Sequence, residues 1–292
     1  MESLAGKKAL LILTNESYLP KSPRRNGQHN PTAQMMYREN GPVVTGPPST
    51  WISPVPTINE PPASYAAIPS TQGFFAQHHQ PTGVDIFELG YLWMQLHKQL
   101  KMDLVFCTPR GGPVAADPIS VERMEKDSRL KDHLKNELEF VRKMGHTLPI
   151  SWVKPEEFHL CVIVGGHGAM FDLPEHEDIA CTIAEIYRKN GHIAAIGHGV
   201  AGLLNVRKER RGEYLIKGKK ITCPTKDEER QVGYDNYLPY LLEERIKERG
   251  ANLHNKKAFE SNVVVDDRII TAQNAPSVQE FVQKIHEHHA RR

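Results

Sequence analysis

Four continuous apolar runs, each closed by glycine, proline or a polar residue, constrain this chain more than any other feature. They are Lys8-Ala9-Leu10-Leu11-Ile12-Leu13-Thr14, Met102-Asp103-Leu104-Val105-Phe106-Cys107-Thr108, Phe158-His159-Leu160-Cys161-Val162-Ile163-Val164 and His192-Ile193-Ala194-Ala195-Ile196. None alternates with polar residues, so each reads as a strand buried on both faces, and this requires a parallel sheet with helices above and below. Segments of helical spacing separate them: Gly83 to Lys98, with Leu89, Leu92, Trp93 and Leu96 on one face, a charged stretch from about Ser120 to Met144, and about Asp178 to Lys189. The expected class is α/β, a mostly parallel sheet covered on both sides. Further on, the pattern predicts a hairpin around Lys217-Gly218-Lys219 and a helix from Tyr237 to Arg249. It also predicts a hairpin over 263–271 with Asp266-Asp267 at its tip, and a closing helix from Ser277 to His288.

One stretch violates the pattern. A helix should follow the first strand within about 2–6 residues, yet residues 18–83 hold twelve of the 21 prolines. Proline removes a backbone donor and fixes φ, so this stretch predicts neither helix nor central strand. It retains Tyr18, Tyr37, Trp51, Ile52, Ile58, Tyr65, Phe74 and Phe75, residues that a plain disordered linker tends to lack. Two readings stand: an extended arm lying along a partner or its own domain, and a mostly disordered insertion. The expected organisation is one domain from residues 1–17 and 84–292, with 18–83 inserted.

At 292 residues, 39% hydrophobic and 25% charged, the chain has the composition of a soluble globular protein, and a net charge of +2 gives no general case for nucleic-acid binding. No run approaches the ~18 apolar residues of a membrane span, and the N-terminus lacks a signal-like apolar region. Cys107, Cys161, Cys181 and Cys223 have neither CxxC pairing nor zinc-ligand spacing. Free thiols in a reducing, cytoplasmic setting are the expectation. The pairs His78-His79 and His288-His289 have no carboxylate partner in sequence, so no metal and no cofactor are assigned.

In sheets of this kind ligands bind beyond the carboxyl ends of the strands. Glu88, the turn Gly165-Gly166-His167-Gly168 and the turn Gly197-His198-Gly199 all fall there. A strand followed by a sharp turn and a helix start is the setting of a nucleophile elbow. Here the apex is Gly197, which has no side chain.

Three motifs together resemble the DJ-1/PfpI superfamily, with its class I glutamine amidotransferase-like fold. They are Gly165-Gly166-His167-Gly168-Ala169-Met170-Phe171-Asp172-Leu173-Pro174, Ala194 through Leu204, and Thr108-Pro109-Arg110-Gly111-Gly112 with Asp117-Pro118. Within it the chain is most similar to the Hsp-type chaperones that also act as glyoxalase III, converting methylglyoxal to lactate without glutathione. The resemblance covers about 7–17 and 84–288 and implies a flavodoxin-like sandwich. In that family the elbow carries a nucleophilic cysteine followed by histidine, and a glutamate from the first helix hydrogen-bonds the thiol. Carried over, these positions are Gly197, His198 and Glu88, with Gly165 and Gly166 at an oxyanion site and His167 structural or pocket-lining. A third, acidic member would be Asp227, Glu228 or Glu229.

A thiolate is the reactive form of cysteine, and glycine offers none. The resemblance with glycine at the apex thus implies a catalytically inactive member, a binding or structural component of a larger assembly attached through residues 18–83. A cytoskeletal or ciliary assembly would be such a setting, and a homodimer is a further expectation. The rival is a glyoxalase III- or deglycase-like enzyme, or a holdase, using another nucleophile or none; Cys223 is one conceivable relocated thiol. Glu88 likewise has two readings, a pocket acid of raised pKa or a plain helix N-terminal carboxylate.

Overall fold

The computed structural model describes residues 4–20 and 79–289. The apolar runs form strands in one seven-stranded sheet. In chain order the strands are β1 (Lys8–Ile12), β2 (Tyr18–Pro20), β3 (His79–Pro81), β4 (Asp103–Thr108), β5 (Leu148–Pro149), β6 (Leu160–Ile163), β7 (His192–Ile196), β8 (Lys220–Ile221), β9 (Asn252–Leu253), β10 (Val263–Asp266) and β11 (Ile269–Ala272). The main sheet runs β10-β11-β7-β6-β1-β4-β5. All its pairings are parallel except the β10–β11 hairpin at one edge. The expected α/β sandwich is therefore present.

Alternation along each central strand explains why its run is apolar throughout. In β1, Ala9 and Leu11 enter one core layer while Leu10 and Ile12 enter the other; in β6, Leu160 and Val162 oppose Cys161 and Ile163 in the same way. The first layer packs beneath Leu89, Trp93, Phe140 and Phe281 from the helices 86–99, 138–145 and 278–289. The second packs beneath Ile179, Ile183 and Ile246 from the helices 177–188 and 242–248. Burial of one such aliphatic side chain contributes about 1.5–3 kcal/mol, so the two layers dominate the stability of the fold.

Several elements differ from the expectation. The charged stretch is three helices, Pro118–Lys126, Ser128–Leu134 and Leu138–Gly145, because Asp127 turns extended and caps the second by accepting from Leu130 N–H. The helix after Asp85 is α-helical only to Leu92 and π-helical from Trp93 to Gln99, a difference that apolar spacing over two turns does not resolve. No hairpin forms about Gly218: β8 pairs in parallel with β9, and the antiparallel bridge joins Arg207 and Tyr214. The helix expected from Tyr237 begins only at Leu242. The β10–β11 turn is centred on Asp267 and Arg268, Asp267 taking φ +57.

The two ends of the proline-rich stretch meet. Tyr18–Pro20 pairs antiparallel with His79–Pro81, and Thr82 N–H donates to Ser17 C=O at 2.9 Å. Residues 21–78, with most of the expected arm, lie outside the described residues, as does His78 of the two histidine pairs. Among the described residues no helix is long and apolar enough to cross a membrane.

The sheet reverses direction of growth between β1 and β6, since β1 is followed outward by β4 on one side while β6 leads to β7 on the other. Crevices open at such switch points. Three loops converge there through close backbone approaches. A Cβ on Gly166, whose φ is +111, would lie 2.0 Å from Gly83 O, so only glycine fits. Asp85 N–H then donates to Gly165 C=O at 2.9 Å, which locks the start of the Ile86–Leu92 helix onto the end of β6.

Candidate active site

Glu88 sits in the first turn of that helix, whose N-cap Asp85 accepts from Glu88 N–H at 3.0 Å. Its side chain turns inward, is buried, and accepts from Gly165 N–H through Oε2 at 3.0 Å. Burial, then the nearby Asp85 carboxylate, pushes the Glu88 pKa well above its ordinary value, against the weaker pull of Arg123. Its protonated form is thereby favoured relative to a solvated carboxyl. Both readings of Glu88 have a counterpart in its position, since it lines the cavity and also lies in the first turn of its helix.

Gly197 follows β7 with φ +55, the conformation an elbow apex requires. The chain continues as a 3-10 turn through Leu203, so the expected helix start is a tighter one. A Cβ at Gly197 would lie 2.8 Å from Glu88 Oε1, so a side chain at the apex would point into the carboxyl.

His198 and His167 come from the two neighbouring turns, their rings 4.1 Å apart between centroids. Between them stands Glu229: its Oε1 is 2.5 Å from His198 Nε2 and its Oε2 is 3.3 Å from His167 Nε2. The sequence left Asp227, Glu228 and Glu229 as alternatives, and the helix Lys226–Val232 separates them. Glu228 closes a capping box with Thr225 and also accepts from Phe259 N–H and Asn274 Nδ2. Asp227 is exposed beside Arg230. Glu229, one residue further round the helix, alone of the three meets the histidines.

Charge in this cluster is paired. Burial disfavours a charged His167, but the carboxylates of Asp117 and Glu229 outweigh it and raise its pKa to about 9. Burial likewise opposes ionisation of Glu229, yet His198 and His167 hold its pKa far below the usual carboxylate range. Asp117 lies 3.8 Å from His167 Nδ1 and accepts from Thr82 Oγ1 at 3.1 Å. Despite burial, His167 keeps the Asp117 pKa low.

These groups line one cavity of about 80 Å³, together with Arg123, Phe259, Asn274 and Pro276. A water needs roughly 10–15 Å³ of such space, so the cavity admits a few waters or a molecule of three or four carbons, not a large cofactor. Sequence reasoning missed Asp85, Arg123 and Asn274. The first had a signal, an Asp three residues before a Glu at a helix start; the others are joined to the site only by tertiary contacts. Cys107, Cys161 and Cys223 are buried, Cys181 is exposed on its helix, and none lines the cavity. Cys223, the conceivable relocated thiol, is buried outside the cavity lining, and burial pushes its pKa well up.

The DJ-1/PfpI family pattern matches residues 128–288. The glutathione-independent glyoxalase hsp3101 of Schizosaccharomyces pombe is 28% identical over 218 residues, 72% of this chain and 88% of that protein. The glutathione-independent glyoxalase HSP31 of Saccharomyces cerevisiae is 30% identical over 130 residues, 43% of this chain and 55% of that protein. Among solved structures, glyoxalase III from Candida albicans superposes with a TM-score of 0.68 at 21% identity, covering 96% of both chains. The Francisella tularensis rapid encystment protein REP24 superposes at 0.70 and 24% identity, covering 96% of this chain and 98% of that one.

Proposed function

The chain belongs to the DJ-1/PfpI family, and from that premise we propose that its cavity takes a small α-oxoaldehyde and converts it to the 2-hydroxy acid with no thiol at residue 197. The glyoxalases among its relatives suggest the substrate class. The observation that carries the reading is that a buried carboxyl of raised pKa, Glu88, and a carboxylate-oriented imidazole, His198, line one cavity of three-carbon size.

A proton shift suffices for the reaction. Hydration of the aldehyde adds one water and gives a gem-diol beside the ketone. His198, held by Glu229, takes the C1 proton while Glu88 protonates the ketone oxygen, giving an enetriol. The proton then returns from His198 to C2, one gem-hydroxyl becomes the carboxyl carbonyl, and its proton goes back to Glu88. No electron leaves the substrate, so no redox partner is needed. Oε2 of Glu88 accepts from Gly165, which leaves Oε1, on the side of residue 197, to carry the acid proton. Positioned acid–base groups of this kind contribute about 10²–10⁴-fold each.

The test is lactate formation from methylglyoxal by the purified chain without glutathione. Turnover that Glu88→Gln abolishes supports the reading; no turnover above the uncatalysed rate overturns it.

Gly197 favours a second reading, in which it stands where the family's elbow carries cysteine and the pocket persists without catalysis. The chain would then serve as a binding component through residues 18–83. An inactive wild type whose protein partners are lost on deleting residues 21–78 would support that reading.

A further inference from the structure

Three side chains in the cavity make a donor set that proton transfer does not use in full. His167, His198 and Glu229 each offer one ligand atom, and these atoms lie within 4.8 Å of one another. We propose that these three residues bind a divalent cation of the zinc class, with the open position facing the cavity.

Two imidazoles and one carboxylate suit zinc, cobalt or nickel, whereas magnesium and calcium prefer all-oxygen shells. Bonds of 2.0–2.1 Å in a tetrahedron set ligand atoms about 3.3 Å apart. The His167 Nε2 to Glu229 Oε2 separation is 3.3 Å already, while His198 Nε2, now 2.5 Å from Oε1 of the same carboxylate, has to exchange that contact for the ion. Oε2 of Glu229 is buried and receives no aligned hydrogen bond, so one ligand atom stands ready inside the protein. Behind His167, Asp117 Oδ2 lies 3.8 Å from Nδ1, and a shift of roughly 1 Å or less would give the carboxylate–histidine hydrogen bond that orients a metal ligand. The ligands come from three elements: the glycine turn after β6, the 3-10 turn after β7, and the capped helix from Lys226.

An ion held through His198 and Glu229 takes that pair out of proton transfer, so loading shuts off turnover. This consequence rests on the glyoxalase reading, while the site itself does not.

The experiment titrates Co²⁺ into the metal-stripped full chain and follows visible absorption. One Co²⁺ per chain with the intense d–d bands of a four- or five-coordinate ion, displaced by Zn²⁺, is expected. His167→Ala and Glu229→Ala should each abolish the bands, and Cys181→Ser should keep them, since that exposed thiol is the rival ligand. His167→Gln replaces the alanine variant if the latter does not fold. Bands that are absent, or that survive loss of His167, overturn the site. Bound Co²⁺ without lactate formation in the metal-free protein overturns the glyoxalase reading alone. Lactate formation with no bound Co²⁺ overturns the metal site alone.

Discussion

A Cβ added to Gly197 comes within 2.8 Å of Oε1 of Glu88, so the two positions share one small volume. Any side chain at the apex displaces the carboxyl or hydrogen-bonds to it. The helix that carries Glu88 is locked to β6 through Gly165, whose N–H also donates to the carboxyl, so displacing the carboxyl strains that hydrogen bond.

Gly197→Cys follows directly. The backbone has φ +55, which costs a non-glycine residue on the order of 1–3 kcal/mol, and the new Cβ crowds Glu88. The melting temperature should fall by several degrees, while the thiol, aimed at Glu88, should raise methylglyoxal turnover. Calorimetry and a lactate assay read the two effects; a higher melting temperature would refute the strain argument.

Glu88→Gln preserves shape and the acceptor for Gly165 N–H but removes the proton donor. Turnover should fall by about 10²-fold or more. Stability supplies a second readout. A carboxyl whose folded pKa is raised contributes stability that is complete below its unfolded value near 4.5 and is lost as pH rises through the folded value. The glutamine variant should therefore show a flatter stability profile on the alkaline side, measured by urea unfolding across pH.

His167 imposes its own pH dependence. Its pKa moves from 6.5 to about 9, so its contribution is complete below about pH 6.5 and disappears as pH rises through about 9. The size is of order 3 kcal/mol, shared with Asp117 and Glu229. Wild-type unfolding free energy should drop across pH 7–9.5, and His167→Gln should remove most of that slope. An equal slope in both proteins would show that the imidazolium is not held as described.

Glu229→Gln breaks a buried charged cluster and leaves His167 facing Asp117 alone. Loss of one partner from such a pair costs roughly 3 kcal/mol or more. Glu228→Gln, by contrast, disturbs a cap and the hydrogen bonds from Phe259, Gln273 and Asn274 without touching the histidines. NMR of the His198 ring should change strongly in the first variant and little in the second.

Thiol reactivity separates the cysteines. Cys181 is exposed, whereas Cys107, Cys161 and Cys223 are buried and burial pushes their thiols up. Native protein should take up one maleimide per chain, and the modified protein should retain its turnover. Modification of a second thiol without unfolding would contradict the packing.

The sequence by itself determined the sheet. Runs such as Leu10-Leu11-Ile12 and Cys161-Val162-Ile163 have no polar side to offer water, so they had to lie between two helical layers. It also determined the turns at Gly165-Gly166 and Gly197, because Gly166 and Gly197 take a positive φ that few other residues adopt and a Cβ at Gly165 would lie 2.5 Å from Glu88 Oε2. Helix boundaries in the charged stretch were not legible, since i,i+4 pairing looks the same in one helix or three and Asp127 decides by capping. Nor was the acid of the site: Asp227, Glu228 and Glu229 are chemically alike and adjacent. Only the packing of the Lys226–Val232 helix, with Thr225 fixing its phase, sends one into a cap, one to solvent and Glu229 to His167 and His198. Likewise the raised pKa of Glu88 depends on burial and on Asp85, which are tertiary properties. Local pattern therefore set where the backbone runs. Long-range packing set the charge state and partner of each group in the cavity, because a pKa and a hydrogen bond depend on neighbours in space rather than in sequence.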